Sequence, residues 1–308
     1  PAGVSTQVGD SSVIITVEEG DFTVDGPVSV SGAGRLLLNA LGTSVPADLT
    51  VNATIETASG SVSLLARDDV SLSDAGSVTV LSGTGTLDLQ AMEGMLTMGA
   101  ASVLQTNSGN IRLLAEGAMT LGIVDVRSNG ARAGSALDDQ ASWGDISVHS
   151  VTSDIRDARD RTDVSTAIYA NAARFLAIEG IGETGVGIDN SIDLEAALLA
   201  ASTTEGVINI TEASAIVVGS VDVLTVDRVD TDATVFTVAD AATLAGLTTT
   251  ALVDGAVIIR TIDGSLVVEE SVSATANGAL LLQASGVGSD VLLNADVVSA
   301  SGSISVQA

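Results

Sequence analysis

The sequence predicts an all-β chain wound as a parallel β-helix, a solenoid of roughly 24 residues per coil. Three observations predict it. A glycine-led strand pattern returns about every two dozen residues, the apolar content is almost wholly aliphatic, and aromatics make up only 2% of the chain.

The recurring pattern is Gly, any residue, apolar, any residue, apolar. It reads GRLLLNA from Gly34, GSVSLLA from Gly60, GTLDLQA from Gly85, GNIRLLA from Gly109 and GDISVHS from Gly144. It returns as GVINITE from Gly206, GAVIIRT from Gly255, GALLLQA from Gly278 and GSISVQA from Gly302. The aliphatic pairs include Val62/Leu64, Leu87/Leu89 and Ile111/Leu113, and the residue between them is often polar, as at Ser63, Asp88, Arg112 and Ser147. Period-two alternation marks a strand with one buried face, and Gly permits a tight turn into it. From Gly34 to Gly109 the steps are 26, 25 and 24 residues, and from Gly255 to Gly302 they are 23 and 24. Such a coil holds about three short strands. Stacking would set each Gly-led strand beside its equivalent in the next coil, with Val62, Leu87 and Ile111 on successive rungs. The 49-residue step from Gly206 to Gly255 reads as two coils, and the whole as 12–13 coils about 60 Å long.

Apolar residues amount to 46% of the 308, so a large core is available, but it must be thin and built of Val, Leu, Ile and Ala. An array of β-sandwiches would bury large aromatics and repeat near 100 residues. The net charge is −28, and the eleven basic residues are all Arg. That surface repels phosphate backbones and anionic headgroups, so neither nucleic-acid binding nor membrane insertion is expected. No apolar run approaches the roughly 20 residues of a membrane helix. With no cysteine, disulfides and thiolate metal sites are excluded. No signal peptide is visible and the chain opens on Pro1, as expected of an excised or processed segment.

A longer repeat overlies the coils. VIITVEEG from Val13 matches VIIRTIDG from Val257, 244 positions on, and Gly34–Leu38 matches Gly278–Leu282 at the same offset. After a two-residue shift, the segment ending at Ala66 meets the one ending at Ala308. Residues 1–308 are therefore expected to form a single β-helix in which 256–308 begins a second copy of 12–66. Residues 131–185 break the pattern and are expected to be enlarged coils or an insertion, with a short helix around 165–178.

These phrases, with GNIRLLAEGAMTLG from Gly109, ITEASAIVVGSV from Ile210, FLAIEGIGETG from Phe175 and LNADVVSASGSISVQA from Leu293, resemble the filamentous-haemagglutinin-like β-helix regions of giant repetitive bacterial surface proteins. The resemblance spans nearly the whole chain. It implies a right-handed coil, export to the extracellular space or the bacterial surface, and adhesive or scaffolding work without catalysis.

Candidate sites are sparse. The alternating Asp and Arg of 154–163 read as a solvated, self-paired loop rather than a catalytic groove. SGVGSDVLL, 285–293, resembles one calcium-binding nonapeptide and makes Asp290 a candidate for weakly bound calcium. The acidic pairs Asp68/Asp69 and Asp138/Asp139 are similar candidates, with solvated turns as the plainer reading. No other cofactor is expected. Trp143, His149 and Tyr169 could form a patch for a glycan, a host surface or another partner, or simply cover an enlarged coil. Three functions follow: a spacer or filament segment that associates end to end or with adjoining repeats, a binding module using the region from Trp143 to Phe175, and a polysaccharide-degrading β-helix enzyme. The first is the expectation. With His149 the only histidine and lysine absent, the third lacks the basic partners that such chemistry uses.

Overall fold

A computed structural model describes residues 3–7, 9–133, 140–163, 165–185, 189–252 and 255–308. The chain winds as a parallel β-helix with three walls, which form one continuous 31-stranded sheet.

The first wall stacks Val13–Val17, Leu36–Ala40, Val62–Ala66, Leu87–Ala91, Ile111–Ala115 and Ile146–Ser150. It continues through the second halves of Ile168–Ala177 and Ile192–Thr203. Leu87 pairs with Val62 below and Ile111 above, so the three residues do stand on successive rungs. The second wall runs from Phe22–Val24 through Val70–Leu72 and Leu96–Met98 to Asp154–Asp157 and Gly180–Ile181. The third runs from Val4–Ser5 through Thr54–Thr57 and Val103–Gln105 to the first halves of Ile168–Ala177 and Ile192–Thr203.

Inward positions form columns. Leu38, Leu64, Leu89, Leu113, Val148 and Phe175 succeed one another with at most 1% exposure. Each such side chain contributes about 1.5–3 kcal/mol by leaving water, and no rung can bury its own without a neighbour.

The glycines entering these strands are required by space. Gly60, Gly85, Gly109 and Gly144 have no left-handed φ, but each lies hard against the rung below. A Cβ on Gly60 would sit 1.9 Å from the Gly34 carbonyl oxygen, and one on Gly109 would sit 2.1 Å from that of Gly85. Buried threonines seal the corner ahead of them: the Thr57 hydroxyl donates to Gly60 O at 2.6 Å and that of Thr106 to Gly109 O at 2.5 Å. Aspartates staple the other corners. Asp48 accepts the Asp69 N–H at 3.1 Å, Asp69 accepts the Met95 N–H at 2.7 Å, and Asp74 accepts the Ala101 N–H at 3.2 Å. Part of the acidity is thus spent joining rung to rung.

The coil changes phase midway. In one turn the chain leaves the wall after Ile181 and rejoins it at Ile192, with Glu183 and Asn190 bridged across the break. The next strand, Ile208–Glu212, spans the gap: Ile208 stands on Ile181 and Ile210 on Ile192. Ile216–Val218 and Leu247–Thr249 then share the ninth rung of the first wall, over Leu198–Leu199 and Ala201–Thr203, and two further rungs stack on them in the same way. The later coils keep this new phase through Val257–Thr261, Leu280–Gln283 and Ile304–Gln307.

Three expectations are corrected here. The Gly-led strands form two columns, one from Gly34 to Gly144 and one from Gly206 to Gly302, because the phase change moves the pattern to another side of the coil. The 49-residue step is one rung, since Ile208 pairs directly with Val257 and the excess leaves as the excursion 219–246. The helix expected near 165–178 is the strand Ile168–Ala177, whose Ala-rich stretch alternates between inside and outside along two walls. Excursions use up residues, so among the described residues the first wall is eleven rungs deep, roughly 50 Å. Among the described residues helix is confined to Asn129–Ala133, which runs into the start of the irregular stretch, and the 3-10 turn Gln140–Ser142 inside it. No helix among the described residues is long and apolar enough to cross a membrane.

Candidate functional site

The largest departure from plain coiling is a strap. Residues 219–246 leave the first wall and form an antiparallel hairpin, Thr225–Val229 against Val235–Ala239, with a second short pairing of Ser220–Val221 with Leu244–Ala245 at its base. The hairpin lies back across the outward face of the first wall. At its base Val221 packs with Ala172 and Ala200, with Leu198 and Leu244 beside them. Farther along, Thr225 O accepts from Asn110 Nδ2, and Asp227 N donates to Thr86 Oγ1 at 2.9 Å. Val229 N donates to Ser63 Oγ at 2.9 Å, and Arg35 donates to Ala233 O at 3.0 Å. At the tip Val229 and Val235 cover Ile14, Leu37 and Leu65.

Charge locks it down. Asp88, fully buried, accepts from Arg112 of its own wall at 2.9 Å and from Arg228 of the strap at 2.5 Å. Asp240 on the returning strand lies 3.1 Å from Arg174 and 3.8 Å from Arg112. Asp88 is hydrogen-bonded by both arginines, which offsets the cost of burying its charge, whereas Asp240 Oδ2 is held by the Arg174 charge without a hydrogen bond. The strap was missed by sequence reasoning, and a signal for it existed: Leu37 stands in the outward column that Ser63, Asp88 and Arg112 continue, and Leu65 stands between Asn39 and Gln90.

The residues proposed for a partner patch are not together. His149 is on the first wall at the mouth of a 140 Å³ cavity beside the strap base, with Ser147, Arg174, Leu176 and Asp240. Burial pushes its imidazole pKa below the ordinary value, and Arg174 and Arg112 add to that against the opposing charge of Asp240. Trp143 and Tyr169 lie at the third wall, edge to face with centroids 6.4 Å apart. Arg127 sits 3.6 Å over the Tyr169 ring while forking onto Asp125, an arrangement that holds cation and ring together. Trp143 is 5% exposed and Phe175 fully buried. Trp143 and Tyr169 thus pack together at the third wall, while His149 lies on the first.

On the rung above Tyr169 is a buried acid pair. Asp125, Tyr169 and Glu195 form one outward column. Glu195 accepts from Gln140 and, at 2.7 Å, from Ser214 Oγ. Glu212, also fully buried, accepts the Ala196 N–H at 3.2 Å and the Ser214 N–H at 3.3 Å. Burial raises the pKa of both carboxyls, and for Glu212 the facing Glu195 charge raises it further.

The 154–163 stretch is self-paired but only half solvated, which corrects the loop reading. Asp154–Asp157 is a strand of the second wall. Arg159 is buried between Asp157 at 2.8 Å and Asp193 at 3.2 Å, and burial lifts Asp193 to about 6. Asp160 and Asp163 are exposed and cap their own turns onto Thr162 and Ser165.

The calcium candidates are dispersed. Asp69 is spent on the rung above. Burial raises the pKa of neighbouring Asp68, with Asp69, Asp48 and Glu93 adding like charge. Asp290 is exposed, its N–H bonded to Ser265 Oγ. Asp138 and Asp139 lie outside the described residues. Among the described residues no three His, Cys, Asp or Glu side chains are grouped to hold a metal. No family model, curated protein or solved structure matches this chain.

Proposed function

We propose that this chain is a non-catalytic structural segment of a secreted or cell-surface bacterial adhesin or extracellular filament, built to stack end to end with further coils. One observation carries the reading. The strands Val13–Val17, Phe22–Val24, Val28–Val30, Leu36–Ala40 and Leu49–Val51 recur in order as Val257–Thr261, Leu266–Val268, Val272–Ala274, Leu280–Gln283 and Val291–Leu293. A pattern that starts again after one long period suits a tandem array. The edge rungs suit it too. Ile304 and Val306 continue the inward columns of Leu280 and Leu282, so a further coil would stack on them as they stack on that strand.

Sedimentation velocity over a rising concentration series tests this. End-on species should appear and should be suppressed by Ile304→Asp, which puts a charge on the open cross-section. A chain that stays monomeric at high concentration, or one whose association ignores Ile304→Asp, removes the stacking reading.

A further inference from the structure

Part of the strap's landing strip is made twice: its Ile-Leu-Ser column recurs, while Leu65 and Arg35 have Gln307 and Ala279 as their counterparts. Under the hairpin tip, Ile14, Leu37 and Ser63 form one outward column, Ile14 pairing with Leu37 and Leu37 with Ser63. Val229 and Val235 pack on its apolar part, and Val229 N–H bonds Ser63 Oγ. At offsets of 244 and 242 the same three residue types recur as Ile258, Leu281 and Ser305. They too form one outward column, Ile258 pairing with Leu281 and Leu281 with Ser305. Leu37 is 1% exposed beneath the strap. Leu281, Ile258 and Ser305 are only partly buried, and neither Ile258 nor Leu281 belongs to an apolar cluster among the described residues.

We propose that the column Ile258–Leu281–Ser305 is a docking surface for the strap hairpin, Thr225–Val229 with Val235–Ala239, of a second copy of this sequence. The occupant is named by the interface already present. Val229 and Val235 lie on Ile258 and Leu281, and the Val229 N–H meets Ser305 Oγ, as they meet Ile14, Leu37 and Ser63 within one copy. In a tandem array the occupant is the following repeat's own strap; between separate chains it is a strap exchanged in trans. Because the phase change moves this column off the first wall, successive straps lie on different sides of the rod. The inference takes the recurrence from the proposed array but does not need end-on stacking. Leu281 faces outward, whereas Ile304 extends an inward column, so the two contacts are broken by different substitutions.

The test frees the strap from its own strip and asks where it goes. Leu37→Glu with Asp88→Asn unseats the hairpin, and release is read as trypsin cleavage after Arg228. All chains carry Ile304→Asp to remove stacking. The released chain is expected to sediment as a dimer, and adding Leu281→Glu is expected to return it to monomer with at least a tenfold loss of affinity. A released strap on a chain that stays monomeric overturns the proposal, as does a dimer indifferent to Leu281→Glu. Should the released variant not fold or not open, the native strap is used instead. The protein has no cysteine, so Val229→Cys and Leu281→Cys chains are mixed, warmed to open the hairpin, cooled and oxidised. A mixed disulfide in at least tenfold excess over the Val229→Cys and Val45→Cys pair supports the docking surface; parity with that control ends it.

Discussion

At the scale of single residues, two features bear weight that ordinary propensity does not explain. The first is the glycine column. Gly109 occupies a conformation open to any residue, so Gly109→Ala would normally help by restricting the unfolded chain. Here the new methyl would meet the Gly85 carbonyl oxygen at 2.1 Å, so the rungs must part. A loss of about 1–3 kcal/mol is expected, seen as a lower thermal midpoint, whereas a gain would show that the rungs yield freely. The second feature is the acid pair. Glu212 has its pKa raised well above its ordinary 4.5 by burial and by Glu195. The folded state therefore holds a proton that the unfolded chain releases, and its contribution is present below about pH 4.5 and lost as pH climbs toward the raised value. Asp193 acts in the same direction between its ordinary 3.8 and about 6. Thermal stability is expected to rise from pH 8 toward about pH 6.5, below which the depressed pKa of His149 opposes the gain from the carboxyls. Glu212→Gln keeps an acceptor for Ala196 N–H and supplies the donor of the protonated acid. It should raise the midpoint at pH 8 and flatten the profile; an unchanged slope would place the proton elsewhere.

At the scale of elements, the strap is the part that sequence periodicity conceals. Strands of the walls were legible because alternation is dictated by one buried face, and Val62, Leu87 and Ile111 fell on successive rungs as the spacing required. The strap was not, because its own alternation, Thr225–Val229 with Val235–Ala239, looks like two more wall strands, and it inflated one rung's step to 49 residues. The phase change was equally hidden: a five-residue strand is spelled alike on any side of the coil. The aromatic corner was legible as a residue set but not as a geometry, since Trp143 meets Tyr169 only through the coil's third wall. The element-scale prediction concerns Asp88, whose carboxylate joins wall and strap. Asp88→Asn leaves Arg112 and Arg228 facing a neutral group, a loss of about 3–5 kcal/mol for a buried pair. That loss should fall on the strap, the one element that can lift away without breaking the coil. Trypsin should then cut after Arg228 well before the other arginines, with circular dichroism unchanged. Cleavage spread evenly over the chain would mean that the walls had loosened instead.

At the scale of the whole molecule, stacked coils with nearest-neighbour contacts behave as a one-dimensional array, in which each rung is held only by those above and below and melting can begin at either end. The strap changes that. Rooted at Ser220 and Leu244 and reaching Arg35 and Ile14, it binds rungs that share no direct contact, from Leu198 down to the first strands of the wall. A rung under it cannot fray without also breaking the strap's contacts with its distant neighbours. Charge makes this coupling matter, because a rod carrying −28 repels itself along its length. Among the described residues the strap hairpin's bonds and apolar clusters fall on the rungs from Ile14 to Leu198, not on those from Val257 to Gln307. Calorimetry of the native chain should accordingly show one main transition for the strapped rungs, preceded by a small one from the last coils. Replacing residues 222–243 with a short Gly-Ser turn should split the main transition and let the coils before Ala115 melt first, since they lose the cover over Leu37 and Leu65. Salt should narrow that split by screening the repulsion, which acts over about 8–10 Å at moderate ionic strength. Hydrogen exchange would locate the early-melting amides. If they lie evenly along the rod, or if the strapless chain still melts as one unit, the cooperativity belongs to the stacked walls alone and the strap is only a cover.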